Sequence, residues 1–130
     1  MPYPRLMRLR QQFEAPRVEE IPATVHAEVA RLNLGSRVQP GQTVAVSVGS
    51  RGIANIALLI RSLVHELKEL GLQPFLVPAM GSHGGGVAEN QRAIIEGYGV
   101  TEGYVGAPIK ATMETVQVGQ TADGVPVYFD

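Results

Sequence analysis

Two repeats of a strand-like run, a glycine loop and a helix-like segment dominate the hydrophobic pattern of the chain. In the first repeat, Thr43–Val48 (TVAVSV) is a strand-like run, and 49–54 (GSRGIA) supplies the loop. The helix predicted next has Asn55 as its N-cap and Gly71 as its C-cap. Its apolar face consists of Ile56, Leu59, Ile60, Leu63, Leu67 and Leu70.

The second repeat carries the most unusual loop in the sequence. The apolar run 74–78 (PFLVP) predicts a strand, and it leads into 78–86 (PAMGSHGGG), where one histidine stands among four glycines. Glycine lets the backbone approach a ligand closely and adopt positive φ, so this loop is a candidate site. A shorter helix is predicted over 87–98, with an inward face of Ala93, Ile94 and Tyr98.

Less regular segments flank the two repeats. Residues 1–22 combine prolines with mixed charge and predict an extended lead-in, and 23–34 predicts a short helix that ends at Gly35. Beyond the second repeat, 113–118 and 125–129 predict two strands joined by a polar turn. The predicted order is α-β-α-β-α-β-β, an α/β fold with a parallel sheet core and a C-terminal hairpin.

Composition narrows the function classes. At 130 residues with 45% apolar content, the chain suits one domain, which we assign to 23–130 after the lead-in. The chain has 11 basic and 12 acidic residues, so its charge balance does not predict the basic surface that binding to nucleic acid requires. There is no cysteine, which excludes disulfides and thiol chemistry. We predict a cytoplasmic protein without membrane attachment, because no segment has the apolar length of a signal peptide or a membrane span.

Parallel crossovers place both glycine loops at the same edge of a sheet, so Arg51 and His83 are expected to share one cleft. The loop sequences match neither the P-loop nor the dinucleotide fingerprint. In a cleft, a guanidinium suits a planar carboxylate, and an imidazole exchanges protons near neutrality. Two structural alternatives stay open: Arg51 pairing with a carboxylate or capping a helix, and His83 fixing a turn through loop backbone. His26 is interpreted as structural or solvent-facing.

The segments 47–51 (SVGSR) and 78–86 (PAMGSHGGG) resemble the N-terminal domain of the nickel-pincer-nucleotide-dependent lactate racemases, over about 38–130. The resemblance implies a Rossmann-like first domain of a two-domain enzyme that racemises or epimerises 2-hydroxy acids by hydride transfer. It implies that His83 is an acid/base residue and that Arg51 holds the substrate carboxylate. The predicted substrate-binding set is completed by Ser50, Gly81, Ser82 and Gly84.

The chain departs from that family at two points. The lactate racemases carry Asp-x-Thr-Arg-Pro at the first loop, whereas this chain has Val48 at the acidic position, which favours another and larger or sugar-derived hydroxy acid. The family's second histidine and its nickel and cofactor residues lie beyond the matched segment, and Lys110 does not match the cofactor lysine. We therefore assign no cofactor or metal residue here, and expect the 130 residues to be inactive without a missing C-terminal domain or partner.

Two other functions remain open on the sequence alone. The domain is alternatively a non-catalytic Rossmann-like module whose glycine loops bind a small carboxylate or phosphate, since each loop precedes a helix N-terminus. It is alternatively a folding or assembly domain whose open sheet edge recruits a partner.

Overall fold

The computed structural model describes residues 6–129, which form four α-helices and four β-strands. Their bounds are α1 Ile21–Arg31, β1 Thr43–Val48, α2 Ile56–Glu69, β2 Gln73–Pro78, α3 Ala88–Gly97, α4 Glu102–Val105, β3 Val116–Gln120 and β4 Pro126–Phe129. A single turn of 3-10 helix lies at Leu34–Ser36, and the chain turns again at His83–Gly86, where Gly84 and Gly85 have positive φ and are not helical. The protein is a mixed α/β structure, which confirms the coarse prediction of fold class.

The central sheet is small and parallel. β1 and β2 pair over their full lengths, and the register puts Val48 opposite Pro78. On the other side of β2, Leu76 bridges Ile109 in parallel, and its backbone N–H and C=O both bond to segment 108–110 at 2.8 Å. The sequence pattern missed this third parallel position, because Ile109 is flanked by a proline and a lysine and forms no apolar run.

β3 and β4 form a separate antiparallel hairpin, as predicted, with a register shift between Gln117 and Gly119. β3 begins three residues later than predicted. The backbone N–H of Glu114 donates to the Thr112 hydroxyl at 3.0 Å, so the chain is still turning at that point. Every residue of both strands is exposed, so the hairpin adds nothing to the main core.

The core lies between the parallel sheet and α2, α3 and α4. On α2, Ile56, Ile60 and Leu67 are buried and Leu59, Leu63 and Leu70 are half-buried, so the predicted face is confirmed. The helix ends as predicted, with Gly71 at a φ of +77° just beyond it. The core consists of Val46, Val48, Ile56, Ile60, Val64, Leu67, Leu72, Leu76, Ile95, Val100, Val105, Ala107 and Ile109.

The predicted inward face of α3 is wrong. Ala93 and Tyr98 are exposed and Ile94 is half-buried, while Ala88 and Ile95 are the buried residues. Gln91 lies on the same face as Ala88 and Ile95, one turn after Ala88, and is half-buried because its amide bonds to loop carbonyls. A polar residue on the inward line hides that line from a hydrophobicity pattern.

α1 packs against α2 and begins two residues earlier than predicted. It ends at Arg31 rather than at Gly35, because Asn33 takes a left-handed φ of +49°. His26 is solvent-facing, as interpreted, but it has a partner that its own helix did not reveal: Nδ1 lies 2.8 Å from Glu66 Oε2 on α2. Within residues 6–129, no helix has the length and apolar composition needed to cross a membrane.

A network of charged side chains holds segment 108–110, which pairs with β2, against α3. Arg92 Nε donates to Glu96 at 2.9 Å, and Arg92 Nη2 lies 3.2 Å from Glu102 Oε1. These carboxylates, first the hydrogen bond to Glu96 and then Glu102, raise the pKa of Arg92 above its ordinary value. The same Glu102 oxygen accepts the backbone N–H of Ile109 at 2.9 Å, so the network fixes the segment that pairs with β2.

Candidate functional site

The two glycine loops leave the parallel sheet side by side. β1 ends at Val48 and β2 at Pro78, its register partner, and the Ala79 N–H donates to the Val48 carbonyl at 2.9 Å. Both loops therefore lie at the carboxyl edge of the sheet, where open α/β sheets bind ligands. The prediction that a parallel crossover brings them to one edge is confirmed.

A direct side-chain contact joins the loops. Ser50 Oγ lies 2.5 Å from His83 Nδ1, and both residues are half-buried. The ring of His83 thus bonds to a side chain of the other loop. This contact differs from the alternative in which His83 only fixes its own turn, because the partner belongs to the first loop and not to loop backbone.

Helix α3 holds the second loop through two amide side chains. Gln91 Nε2 donates to the carbonyls of Gly81, at 2.7 Å, and His83, at 3.1 Å, while Asn90 Nδ2 donates to Gly84 at 3.0 Å. The loop therefore has its carbonyls turned toward α3. Gly84 has a φ of +64°, and a Cβ there would lie 2.9 Å from the Cβ of Asn90. Only glycine permits this approach.

Tyr98, just after α3, holds the first loop. Its hydroxyl donates to the Ser50 carbonyl at 2.9 Å. The sequence pattern assigned Tyr98 to the core, and gave Gln91 and Asn90 no role. The signal that points to Gln91 is its spacing from Ala88, because a glutamine on the inward line of a helix that follows a glycine loop needs backbone partners.

Arg51 lines an open cleft of about 660 Å³ at the N-terminus of α2. Its exposed guanidinium makes no ion pair within residues 6–129. The cleft is lined by Ser50, Arg51, Gly52, Ile53, Asn55, Ile56, Ala57, Leu58, Tyr98 and Tyr104. The expectation that Arg51 and His83 line one pocket is therefore wrong, because His83 does not line this cleft. His83 is linked to the cleft wall through its contact with Ser50.

The start of α2 adds positive potential to the cleft. Asn55, the predicted N-cap, adopts a left-handed φ of +55° and makes no side-chain cap hydrogen bond. The first intrahelical donor after it is the Leu59 N–H, which reaches the Asn55 carbonyl at 3.0 Å. The preceding first-turn N–H groups have no partner inside the helix, and they form the positive end of its dipole.

The remaining predicted site residues lie outside that cleft. Gly81 and Ser82 are exposed, and Gly84 is half-buried against Asn90. Gly81 lines a different groove of about 830 Å³, on the face of the sheet opposite α2. The structure thus groups Ser50 with Arg51 in the cleft and with His83 across the loops, whereas Gly81 faces elsewhere.

A nickel-containing cofactor would need ligands from the side chains near the loops. Within residues 6–129, no three His, Asp or Glu side chains come together in a way that would hold a metal ion. His26 pairs with Glu66 on α2, away from the loops. The described residues therefore do not fit a nickel site.

Comparison with protein-family models, with curated proteins and with solved structures found no match to this chain.

Proposed function

We propose that this chain forms the substrate side of a 2-hydroxy acid racemase or epimerase, with Arg51 holding the carboxylate and His83 exchanging the hydroxyl proton. The proposal starts from the resemblance of segments 47–51 and 78–86 to the lactate racemases. The observation that carries it is the 2.5 Å contact between Ser50 and His83, because it ties the residue next to Arg51 to the histidine.

Arg51 is suited to bind an acid. It is exposed at the cleft wall and unpaired within the described residues, and the N-terminal dipole of α2 acts on the same space. A guanidinium offers paired N–H donors to both carboxylate oxygens, which fixes the acid in one orientation. We propose that the C2 hydroxyl of a substrate held there is directed toward the side of the cleft where Ser50 contacts His83.

His83 is suited to move one proton. Its Nδ1 contacts Ser50, and Nε2 has no partner within residues 6–129. In the forward direction the substrate O–H bond breaks, its electron pair stays on oxygen, and the proton passes to the ring; the return step reverses this. Inversion at C2 also requires a hydride acceptor. In the family that the chain resembles this acceptor would be a nickel pincer nucleotide; the described residues offer no donor set for nickel, and we assign none of them to it.

The substrate proposed is larger than lactate. Val48 stands where the lactate racemases have an acidic residue, and it is completely buried, so that position offers no charge to the cleft. The cleft volume of about 660 Å³ lies within the usual range for ligand sites and exceeds the needs of a three-carbon acid. A sugar-derived hydroxy acid fits both observations.

A second function is favoured by the cleft alone. Arg51 and the free first-turn N–H groups of α2 form an anion site whether or not His83 takes part. On this hypothesis the domain is a Rossmann-like module that binds a carboxylate or phosphate without chemistry. The assembly-domain hypothesis rests on β1, whose outer edge has no strand partner within residues 6–129.

Ligand titration of the labelled chain separates these functions. We expect gluconate at millimolar concentration to shift the amide resonances of 49–54 and 81–86. The matched acid without the 2-hydroxyl, 2-deoxygluconate, should shift 49–54 and leave 81–86 nearly unchanged, because only the hydroxyl reaches His83. Equal shifts from both acids and from inorganic phosphate, confined to 49–58, would support the binding module instead.

The matched control is a second exposed arginine. Arg51→Ala should abolish the shifts of both loops. Arg37→Ala should leave them unchanged, because Arg37 follows the 3-10 turn that precedes β1 and so lies before the amino end of that strand, away from the loops at its carboxyl end. Loss of an arginine–carboxylate contact of about 1.5–3 kcal/mol weakens binding by roughly 10- to 150-fold. Equal weakening by both variants, or no shift with any acid, refutes the assignment of Arg51.

A further inference from the structure

We propose that Ser50 is a positioning residue for His83: its hydroxyl oxygen accepts a hydrogen bond from Nδ1–H and so keeps the ring proton on Nδ1. Nε2 is then the nitrogen with a lone pair, and it is the atom that exchanges a proton. This inference rests on the proposed function for its catalytic meaning. It gives Ser50 a role different from the substrate binding that the sequence suggested.

The geometry supplies the contact but leaves two directions for it. A serine hydroxyl both donates and accepts, and a neutral imidazole has one donor nitrogen and one acceptor nitrogen. The distance of 2.5 Å between Ser50 Oγ and His83 Nδ1 is within hydrogen-bond reach in either direction. The direction decides which ring nitrogen is basic.

The accepting direction is the one compatible with proton exchange at His83. If the hydroxyl donated to Nδ1, the proton would sit on Nε2, and the ring would have no lone pair to offer a substrate hydroxyl. If the hydroxyl accepts from Nδ1–H, the same bond persists in the neutral and in the protonated ring, because Nδ1 carries a proton in both. The ring then keeps one orientation through a cycle.

The backbone on both sides of this contact is held by the same helical segment. Tyr98 donates to the Ser50 carbonyl at 2.9 Å, and Gln91 donates to the His83 carbonyl at 3.1 Å. Hydrogen bonds from α3 and from the residue that follows it therefore hold the backbone of both loops. Ser50 and His83 meet because of fixed backbone positions and do not depend on a long flexible side chain.

The tautomer of His83 can be measured directly on the ¹⁵N-labelled chain without any ligand. Long-range proton–nitrogen spectra above the titration range distinguish Nδ1–H from Nε2–H for each histidine, and His83→Gln assigns the signals. We expect His83 to be mainly Nδ1–H. Ser50→Ala should shift its tautomer ratio toward Nε2–H by about fivefold, the size expected for one half-buried hydrogen bond, whereas Ser50→Thr should restore the Nδ1–H form.

His26 and His65 are the internal controls, since neither contacts Ser50, and their ratios should not change. A wild-type His83 that is mainly Nε2–H, or a ratio unaffected by Ser50→Ala in a variant with a native amide spectrum, overturns the inference. The result is independent of the proposed function, because the tautomer is read in the free protein. Failure of acid binding together with an Nδ1–H ring would reject the racemase and leave the positioning contact standing.

Discussion

Gly84 is the position where the loop geometry makes the sharpest demand on the sequence. The change Gly84→Ala has two costs. Alanine at the observed φ of +64° costs about 1–2 kcal/mol, partly offset by about 0.4–1 kcal/mol because alanine restricts the unfolded chain. In addition, the new Cβ would lie 2.9 Å from Asn90 Cβ and 3.2 Å from the Gln91 backbone nitrogen.

The steric term dominates because the opposing atoms cannot move aside. They belong to the backbone and the Cβ of α3, and forced displacement of packed atoms costs about 1–3 kcal/mol. We therefore expect Gly84→Ala to lower the free energy of unfolding by about 2–4 kcal/mol. Gly85→Ala is the matched control, since Gly85 has a φ of +72° but no atom within 4 Å of the position that an alanine methyl group would take. It should cost about 1 kcal/mol or less.

Urea denaturation followed by circular dichroism measures both variants. A difference of about 2 kcal/mol between them isolates the contact with α3 from the cost of positive φ. Loss of a cooperative transition in Gly84→Ala, beside a normal transition in Gly85→Ala, is the same outcome in stronger form. Equal destabilisation by the two substitutions would refute the close approach of the loop to α3 and, with it, the basis for placing His83.

Two further predictions concern the supports of the site. Ile95 is fully buried, so Ile95→Ala should cost about 2–5 kcal/mol in denaturation and Ile95→Val about 1 kcal/mol; similar small losses for both would mean that α3 does not pack on the sheet. Glu102→Ala should cost about 1 kcal/mol and accelerate amide exchange at Ile109, while Glu102→Gln, which keeps an acceptor oxygen, should protect that amide. Unchanged exchange in Glu102→Ala would contradict the bond.

The elements that are predicted best from the sequence are those in which apolar residues recur at a regular spacing. The sequence predicts β1 to the residue and α2 to within one residue, because the valine-rich run Thr43–Val48 favours a strand and the apolar face of α2 favours a helix. The adjacency of the two loops was also predictable, since a right-handed parallel crossover brings the carboxyl ends of both strands together. The buried face of α3 could not be predicted, because the polar residue Gln91 lies on it.

The amino-acid sequence alone establishes local features: which segments favour a strand or a helix, which loops are rich in glycine, and which residues have side chains capable of chemistry. Which of these side chains come into contact depends on how the whole chain folds. The sequence predicts Arg51 and His83 in one pocket, whereas in the structure His83 does not line the cleft of Arg51 and is linked to its wall through Ser50. Hydrophobic periodicity reports burial along one element, whereas the partners of a polar side chain depend on positions 33 to 48 residues away, to which that periodicity is blind.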